Sequence, residues 1–175
     1  MRPLRRALVL LPAVVLALAG LAVPASAAGD DYPWRLDESW TSDEHGFTKR
    51  QCVSFVAWRL AQRAAPLDNG RQGWGSAVTW DDTARRLGHG VGTRPVVGAV
   101  AQWEAGEVAR TYSPGVRRAS GLLRAGEHGH VGYVQHVHTD GTATIEHYNG
   151  TGSRTYATAR VRAPRYLYVA VPAPR

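Results

Sequence analysis

Cys52 is the only cysteine in the chain, and its position favours reactivity. Thr48, followed three residues later by Gln51, predicts a capping box at the start of a helix. An apolar stripe at helical spacing follows: Val53, Val56, Ala57, Leu60 and Ala64. A cysteine in the first turn lies beside unpaired backbone N–H groups and the positive end of the helix dipole, which favour the thiolate. The sequence therefore predicts a nucleophile, and a small buried hydrophobe at the top of a core helix is the alternative.

Five of the seven histidines lie between positions 128 and 147, and one of them, His130, is the candidate base. A cysteine nucleophile needs a proton acceptor within hydrogen-bond reach and a third group that orients the imidazole. A helix-borne cysteine followed by a strand-borne histidine can bring the first two groups together. Two pairs of histidines, 128/130 and 136/138, also have the spacing of zinc ligands on one strand face. No His-Glu-x-x-His helix accompanies them, so the sequence favours proton transfer and implies no metal and no cofactor.

Helices precede strands in the predicted element order. A second helix is expected at 80–87, with Thr79 as its N-cap and Gly88 as its terminator. Apolar, β-branched runs then predict strands at 96–103, 131–137, 142–148, 156–161 and 166–171. Residues 110–126 lack a clear period and are expected to form a surface loop or a short irregular helix.

The dipeptide Asp140-Gly141 predicts a two-residue hairpin turn between two of these strands. That turn places Tyr133 opposite Tyr148. Because side chains alternate along a strand, His130 then shares a face with Asn149 and His147, while Glu146 points away. A three-residue loop or a bulge would reverse these faces.

Residues 1–27 have the pattern of a secretory signal peptide. Three arginines precede an apolar run at 7–23, and Ala25-Ser26-Ala27 supplies the small residues at a cleavage site. An uncleaved membrane anchor is the alternative, but the run is short for a span and contains Pro12. The sequence therefore predicts a secreted protein with no stable membrane association after cleavage. A single cysteine in such a protein cannot form an internal disulfide, which leaves its thiol free for chemistry.

The rest of the composition limits the ligands and partners that this protein is expected to bind. Lys49 is the only lysine, and no basic run is interleaved with aromatic residues, which argues against nucleic-acid binding. Residues 28–47, here called the lead-in, form an acidic segment with scattered aromatics. These aromatics are expected to hold the lead-in against the domain at 48–175. The acidic spacing does not match an EF-hand loop. Four large aromatics could line a groove, but most are expected in the core: Trp74, Trp80, Trp103 and Tyr133.

Five segments together resemble the CHAP domain family of cysteine- and histidine-dependent amidohydrolases and peptidases. They are Arg50–Leu60, Trp80 with its helix, Pro95–Val100, Gly129-His130-Val131 and Tyr148-Asn149, in the family's order. The resemblance implies an α+β, papain-like (NlpC/P60-type) fold, with the nucleophile on N-terminal helices packed against an antiparallel sheet. It also implies a cell-wall-associated location and peptidoglycan as the substrate, cleaved at the N-acetylmuramoyl–L-alanine bond (amidase) or at a peptide bond (endopeptidase).

The resemblance also implies roles for single residues. Cys52 would attack the amide carbonyl, His130 would carry the proton, and the Cys52 N–H with Gln51 would hold the oxyanion. The family usually has a carboxylate two residues before the asparagine, where this chain has His147. Asn149 is therefore the expected orienting residue and Glu146 the second choice, while His147 lines the cleft or is simply exposed.

Three other classes remain as alternatives. NlpC/P60 cell-wall peptidases share the cysteine-then-histidine order but prefer Asp-Cys-Ser, which Gln51-Cys52-Val53 lacks. A catalytically silent wall-binding module with the same fold would retain the residues without hydrolysis. A secreted redox or dimer-linking protein would use the thiol alone. The sequence does not determine the oligomeric state.

Overall fold

Helices occupy the first part of the computed structural model, which describes residues 29–113 and 121–175. They are α1 (Cys52–Ala61), α2 (Asn69–Gln72), a short 3-10 helix (Ala77–Thr79) and α3 (Trp80–Arg86). The strands are β1 (Gly90–Gly92), β2 (Val100–Trp103), β3 (Val108–Thr111), β4 (Gly121–Arg124), β5 (His130–Val137), β6 (Ala143–Tyr148), β7 (Tyr156–Val161) and β8 (Arg165–Tyr168). The predicted signal peptide at 1–27 lies outside the described residues.

All eight strands form one antiparallel sheet in the order β1-β8-β2-β5-β6-β7-β3-β4. Helix α1 packs against the central strands β5 and β6. The predicted α+β class and the antiparallel sheet are confirmed. Within residues 29–113 and 121–175, no helix has both the length and the apolar character needed to cross a membrane.

Both faces of the sheet are buried. Successive side chains of a strand point to opposite faces, and each face packs in its own apolar cluster. On the helix side, Phe55 and Leu60 of α1 pack with Val131 and Tyr133 of β5. The other face holds the second cluster, which includes Trp103, Val134, Ile145, Val161 and Tyr166. Burial on both faces fixes the central strands, and the ends of these strands carry the candidate site.

The large aromatics of the helical segment and of the central strands go to the core, as predicted. Trp74, Trp80 and Trp103 are fully buried and Tyr133 is nearly so. Trp74 and Trp80 pack with ring centroids 5.2 Å apart, which joins the loop before the 3-10 helix to α3. These side chains therefore stabilise the fold and leave the groove to other residues.

The hairpin of β5 and β6 does not close with the predicted two-residue turn. The His138 N–H bonds to the Thr142 carbonyl at 2.8 Å, which leaves residues 139–141 in a three-residue loop. Further along, Tyr133 pairs with Glu146, two residues away from its predicted partner. The predicted register is therefore wrong.

A bulge in β5 between Val134 and His136 compensates for the extra loop residue. Either feature alone would exchange the two faces of β5 relative to β6, because side chains alternate. Together they preserve the predicted faces: His130 lies with His147, and Glu146 lies on the opposite side.

Two other elements differ from the prediction. Residues 108–111 and 121–124 form the antiparallel pair β3–β4 instead of a loop or irregular helix. Their residues are mostly exposed, so no strong apolar alternation marked them in the sequence. Helix α1 ends at Ala61 instead of reaching Ala64, whose φ of 57° lies outside the helical region.

The lead-in contacts the domain through some of its aromatics. Tyr32 and Phe47 are buried in the helix-side core, as predicted. The Tyr32 hydroxyl bonds to Ser54 of α1, and Ser54 also donates to Asp43. Trp40 is 70% exposed and stays outside the core, but its ring contacts the domain through the guanidinium of Arg154.

Candidate active site

Cys52 is the first residue of α1, and the backbone at Gln51 sets that start. Gln51 has extended dihedral angles (φ −96°, ψ 158°) and occupies the N-cap position, but its side chain makes no capping bond. The predicted capping box is therefore wrong, and Cys52 lies nearer to the helix start than expected. Cys52 is partly exposed and lines a cleft of about 890 Å³.

The environment of the Cys52 thiol favours its protonated form. Burial raises the pKa of the thiol to about 11, although backbone N–H groups of Val131, Val53 and Cys52 act in the opposite direction. The predicted stabilisation of the thiolate by the helix start is present, but desolvation outweighs it. The contact with the Val131 N–H also places the sulfur beside the peptide that joins Val131 to His130.

His130 begins β5, and the glycine before it fixes its position. Gly129 has φ of +71°, and a Cβ there would lie 2.6 Å from the Trp103 carbonyl oxygen and 2.7 Å from the Val78 nitrogen. The chain approaches its neighbours so closely here that only glycine fits. His130 lines the same cleft as Cys52 and is only 4% exposed.

The imidazole of His130 is held by a second imidazole. His130 Nε2 lies 3.0 Å from His147 Nδ1, and the rings meet edge to face. Burial, and then the charge of His147, lower the pKa of His130 to about 3. Burial lowers the pKa of His147 to about 4. Both rings are therefore neutral at pH 7, and one donates a hydrogen bond to the other.

The turn after β6 makes room for His147. A Cβ on Gly150 would lie 2.6 Å from His147 Nδ1, the atom that bonds to His130. Asn149, just before it, has φ of +56°, which turns the chain sharply at this point. Close packing of the backbone against the ring fixes the position of His147.

Asn149 directs its side chain to Gln51 and not to the histidine pair. Its Nδ2 donates to Gln51 Oε1 at 2.7 Å, and its Oδ1 accepts from the Arg154 N–H at 2.8 Å. The structure thus joins two predicted site residues, Gln51 and Asn149, in one hydrogen bond. Because the Gln51 amide oxygen accepts here, its Nε2 is the group that remains for the cleft.

Glu146 lies on the opposite side of the sheet, in a buried ion pair. Its carboxylate is 0% exposed and lies 3.0 Å from Arg59 Nε. It also accepts from Arg59 Nη2 at 3.0 Å and from the Tyr156 hydroxyl at 2.8 Å. Arg59 in turn binds Asp31 of the lead-in at 2.7 Å. Glu146 therefore joins α1, the sheet and the lead-in.

The other histidines of this region do not assemble into a metal site. His136 and His138 pack against each other, with ring centroids 4.6 Å apart, and His138 Nε2 bonds to Thr144. His128 is exposed near Glu127. Within the described parts of the chain, no group of three or more His, Cys, Asp or Glu side chains is arranged to hold a metal ion.

Sequence reasoning missed two residues of the cleft region. Gly150 packs on His147, and the only signal for it was a glycine two residues after a predicted strand. Trp40 lines the cleft with its ring exposed. No periodic pattern surrounds it in the sequence, and exposure of a tryptophan depends on what packs beside it.

Comparison with known proteins places this site in a family context. The CHAP domain family model matches residues 41–149. N-acetylmuramoyl-L-alanine amidase sle1 of Staphylococcus haemolyticus is 25% identical over 157 residues, which cover 85% of this chain and 42% of that protein. The staphylococcal secretory antigen ssaA2 of Staphylococcus aureus is 24% identical over 139 residues, covering 76% of this chain and 42% of that protein. The chain thus spans less than half the length of these relatives.

A solved structure supports the same fold. The crystal structure of N-acetylmuramoyl-L-alanine amidase from Staphylococcus aureus matches with a TM-score of 0.55 and 24% sequence identity, over 78% of this chain and 36% of that one. The family match covers more than half of the chain and includes Cys52, His130, His147 and Asn149. The chain therefore belongs to the CHAP domain family.

Proposed function

We propose that this protein is a secreted peptidoglycan hydrolase that cleaves an amide bond with Cys52 as its nucleophile. The bond is either N-acetylmuramoyl–L-alanine or a peptide bond of the stem or cross-bridge. The observation that carries the proposal is the shared cleft of Cys52 and His130, with His130 hydrogen-bonded to His147. Family membership and relatives named as amidases support it. The proposed secretion depends on the signal-peptide pattern of residues 1–27.

The reaction starts from a neutral cysteine–histidine pair, because the pKa of the thiol is raised and that of His130 is lowered. His130 takes the thiol proton as Sγ attacks the carbonyl carbon, and the carbonyl π electrons move to oxygen. The tetrahedral intermediate collapses, His130 gives its proton to the departing nitrogen, and a thioester forms. Water, deprotonated by His130, then attacks the thioester and releases the carboxylic acid and the thiol.

His147 takes the orienting role in this papain-like arrangement. For His130 to accept the thiol proton at Nδ1, its own proton must be on Nε2, which donates to His147 Nδ1. His147 then carries its proton on Nε2. A neutral imidazole thus holds the tautomer that a carboxylate or amide usually holds in such triads. His147 acts through His130 and is a positioning residue.

The oxyanion site is built at the start of α1. The Cys52 N–H is unpaired within the helix at this position and points towards the thiol. Gln51 supplies Nε2, because its amide oxygen is already bound by Asn149. Two such donors stabilise the negative charge on the carbonyl oxygen of the intermediate. Asn149 therefore positions Gln51 in this proposal instead of orienting the histidine.

The test is digestion of purified peptidoglycan by the protein beside a Cys52→Ala variant, with mass analysis of the soluble fragments. We expect only the unmutated protein to release fragments. A new N-terminal L-alanine identifies an amidase, and a cut inside the stem or bridge identifies an endopeptidase. Equal release by the variant refutes the cysteine mechanism. Retention on the wall without release, for several wall types, would favour the silent binding module.

A further inference from the structure

Trp40 is an exposed aromatic residue in the wall of the cleft. Its relative exposure is 70%, and it lines the same cleft as Gln51 and Cys52. Within residues 29–113 and 121–175, four other large hydrophobic side chains are exposed, and none of them lines this cleft: Leu36, Val97, Val108 and Leu122. An exposed indole in a cleft that also holds the nucleophile is a candidate ligand contact.

Arg154 holds the indole in a fixed position. Its guanidinium carbon lies 4.1 Å from the centroid of the Trp40 ring. The same guanidinium donates to the carbonyls of Ser39 at 2.8 Å and of Glu38 and Lys49 at 3.3 Å each. These backbone acceptors keep Arg154 in place, and Arg154 covers one face of the ring by a cation–π contact. The large exposure of Trp40 leaves its other face accessible.

A chain of contacts joins this ring to the nucleophile. The Arg154 N–H donates to Asn149, and Asn149 donates to Gln51, the residue directly before Cys52. Trp40 is therefore held at a fixed place relative to the reacting atoms. A fixed ring loses little conformational entropy when it binds a ligand.

The chemistry of the surface selects the ligand. A flat aromatic face packs well against the C–H face of a pyranose ring, and it offers no charge to a stem-peptide carboxylate. Both terminal nitrogens of Arg154 already donate to backbone carbonyl oxygens, so the guanidinium serves here to hold the ring. Both residues lie outside the region 41–149 that matches the family model: Trp40 directly precedes it and Arg154 follows it.

We infer that Trp40, held by Arg154, forms a subsite that stacks on a sugar ring of the peptidoglycan glycan strand. This inference deepens the proposed function and depends on it for the identity of the substrate. The sugar on Trp40 would hold the glycan strand along the wall of the cleft while the amide bond reaches Cys52. Polar hydroxyl and N-acetyl groups of the strand would extend beyond the ring into solvent.

Binding can be tested without hydrolysis in the Cys52→Ala chain. The probes are peptide-free glycan strands of alternating N-acetylglucosamine and N-acetylmuramic acid, and separately the free stem peptide, with calorimetry as the measurement. Adding Trp40→Ala should weaken glycan binding by about tenfold, the size of one lost aromatic stacking contact. Trp40→Phe should restore most of the affinity. Leu36→Ala, at an exposed residue outside the cleft, should change nothing.

The outcomes separate this inference from the proposed hydrolase. Glycan binding that is unchanged by Trp40→Ala, or absent in the parent chain, overturns the subsite even if the unmutated protein cleaves peptidoglycan. The subsite is also overturned if Trp40→Ala weakens stem-peptide binding as much as glycan binding, because the ring would then not be selective for a sugar. Trp40-dependent glycan binding by a protein that releases no fragments would uphold the subsite and refute the hydrolase. Equal unfolding temperatures for the variants confirm that an exposed side chain was removed without damage to the fold.

Discussion

Replacement of Glu146 by Gln should lower stability and leave catalysis intact. The Glu146 carboxylate is fully buried and lies 3.0 Å from both Nε and Nη2 of Arg59. Glutamine keeps the shape and one acceptor oxygen, but it replaces the second oxygen by an NH₂ group. That group would face the guanidinium of Arg59, so a donor would meet a donor inside the core.

The size of the effect follows from what remains around Arg59. Removal of one partner from a buried ion pair costs about 3–5 kcal/mol. Asp31 still binds the same guanidinium at 2.7 Å, so we expect a loss at the lower end, about 3 kcal/mol. For a domain of this size that corresponds to a fall in unfolding temperature of about 6–12 °C.

Urea unfolding and thermal scans measure the stability of Glu146→Gln, and kcat on peptidoglycan is measured well below its unfolding temperature. We expect kcat within about twofold of the parent, because the carboxylate lies on the far side of the sheet from His130. Asp31→Asn is the matched control, because Asp31 is half-exposed and pairs with the same Arg59, and it should cost only about 1 kcal/mol. A fall in kcat of about a hundredfold with unchanged stability would show that Glu146 acts in catalysis and refute this reasoning.

Three further outcomes follow from the paired imidazoles and from the raised pKa of the Cys52 thiol. His147→Ala should lower kcat about a hundredfold with little change in KM. His147→Asn keeps an acceptor for His130 and should recover part of that loss. Equal kcat for both variants would contradict the orienting role. The free energy of unfolding should fall by about 2 kcal/mol per histidine between pH 7 and 5. The folded pKa values of His130 and His147, about 3 and about 4, lie below the ordinary 6.5, so the unfolded chain binds more protons in this range. Urea titrations that give the same free energy of unfolding at pH 7 and pH 5 would contradict this. Alkylation of Cys52 by iodoacetamide should accelerate with pH well into the alkaline range, since its pKa is about 11, and fast reaction at pH 6 would refute the neutral thiol.

Local patterns in the sequence were sufficient to predict the framework of the site. The apolar stripe after Cys52 predicted α1, and the runs around His130 and His147 predicted β5 and β6. Hydrophobic periodicity carries this information because each element must bury one side of itself. The alternation of side chains also placed His147 on the face of His130 and Glu146 on the other.

That agreement on the faces arose from two errors that cancelled. The loop contains one residue more than the dipeptide Asp140-Gly141 indicated, and a bulge in β5 absorbs it. Neither feature has a strong sequence signal, because turn length and bulges depend on how neighbouring strands twist and pack. Likewise β3 and β4 are paired mainly through their backbones, which a search for apolar periods cannot detect.

The electrostatic state and the partners of the site residues depend on contacts between parts of the chain that are distant in sequence. Glu146 is bound by Arg59, 87 residues away, and Asn149 is bound to Gln51, 98 residues away. Cys52 has the helix start that favours a thiolate, yet the sheet packed against it removes water and raises its pKa. Sequence patterns thus identified groups that line the cleft, such as Cys52 and His130, whereas burial and long-range pairing decided which groups carry charge and which hold one another in place.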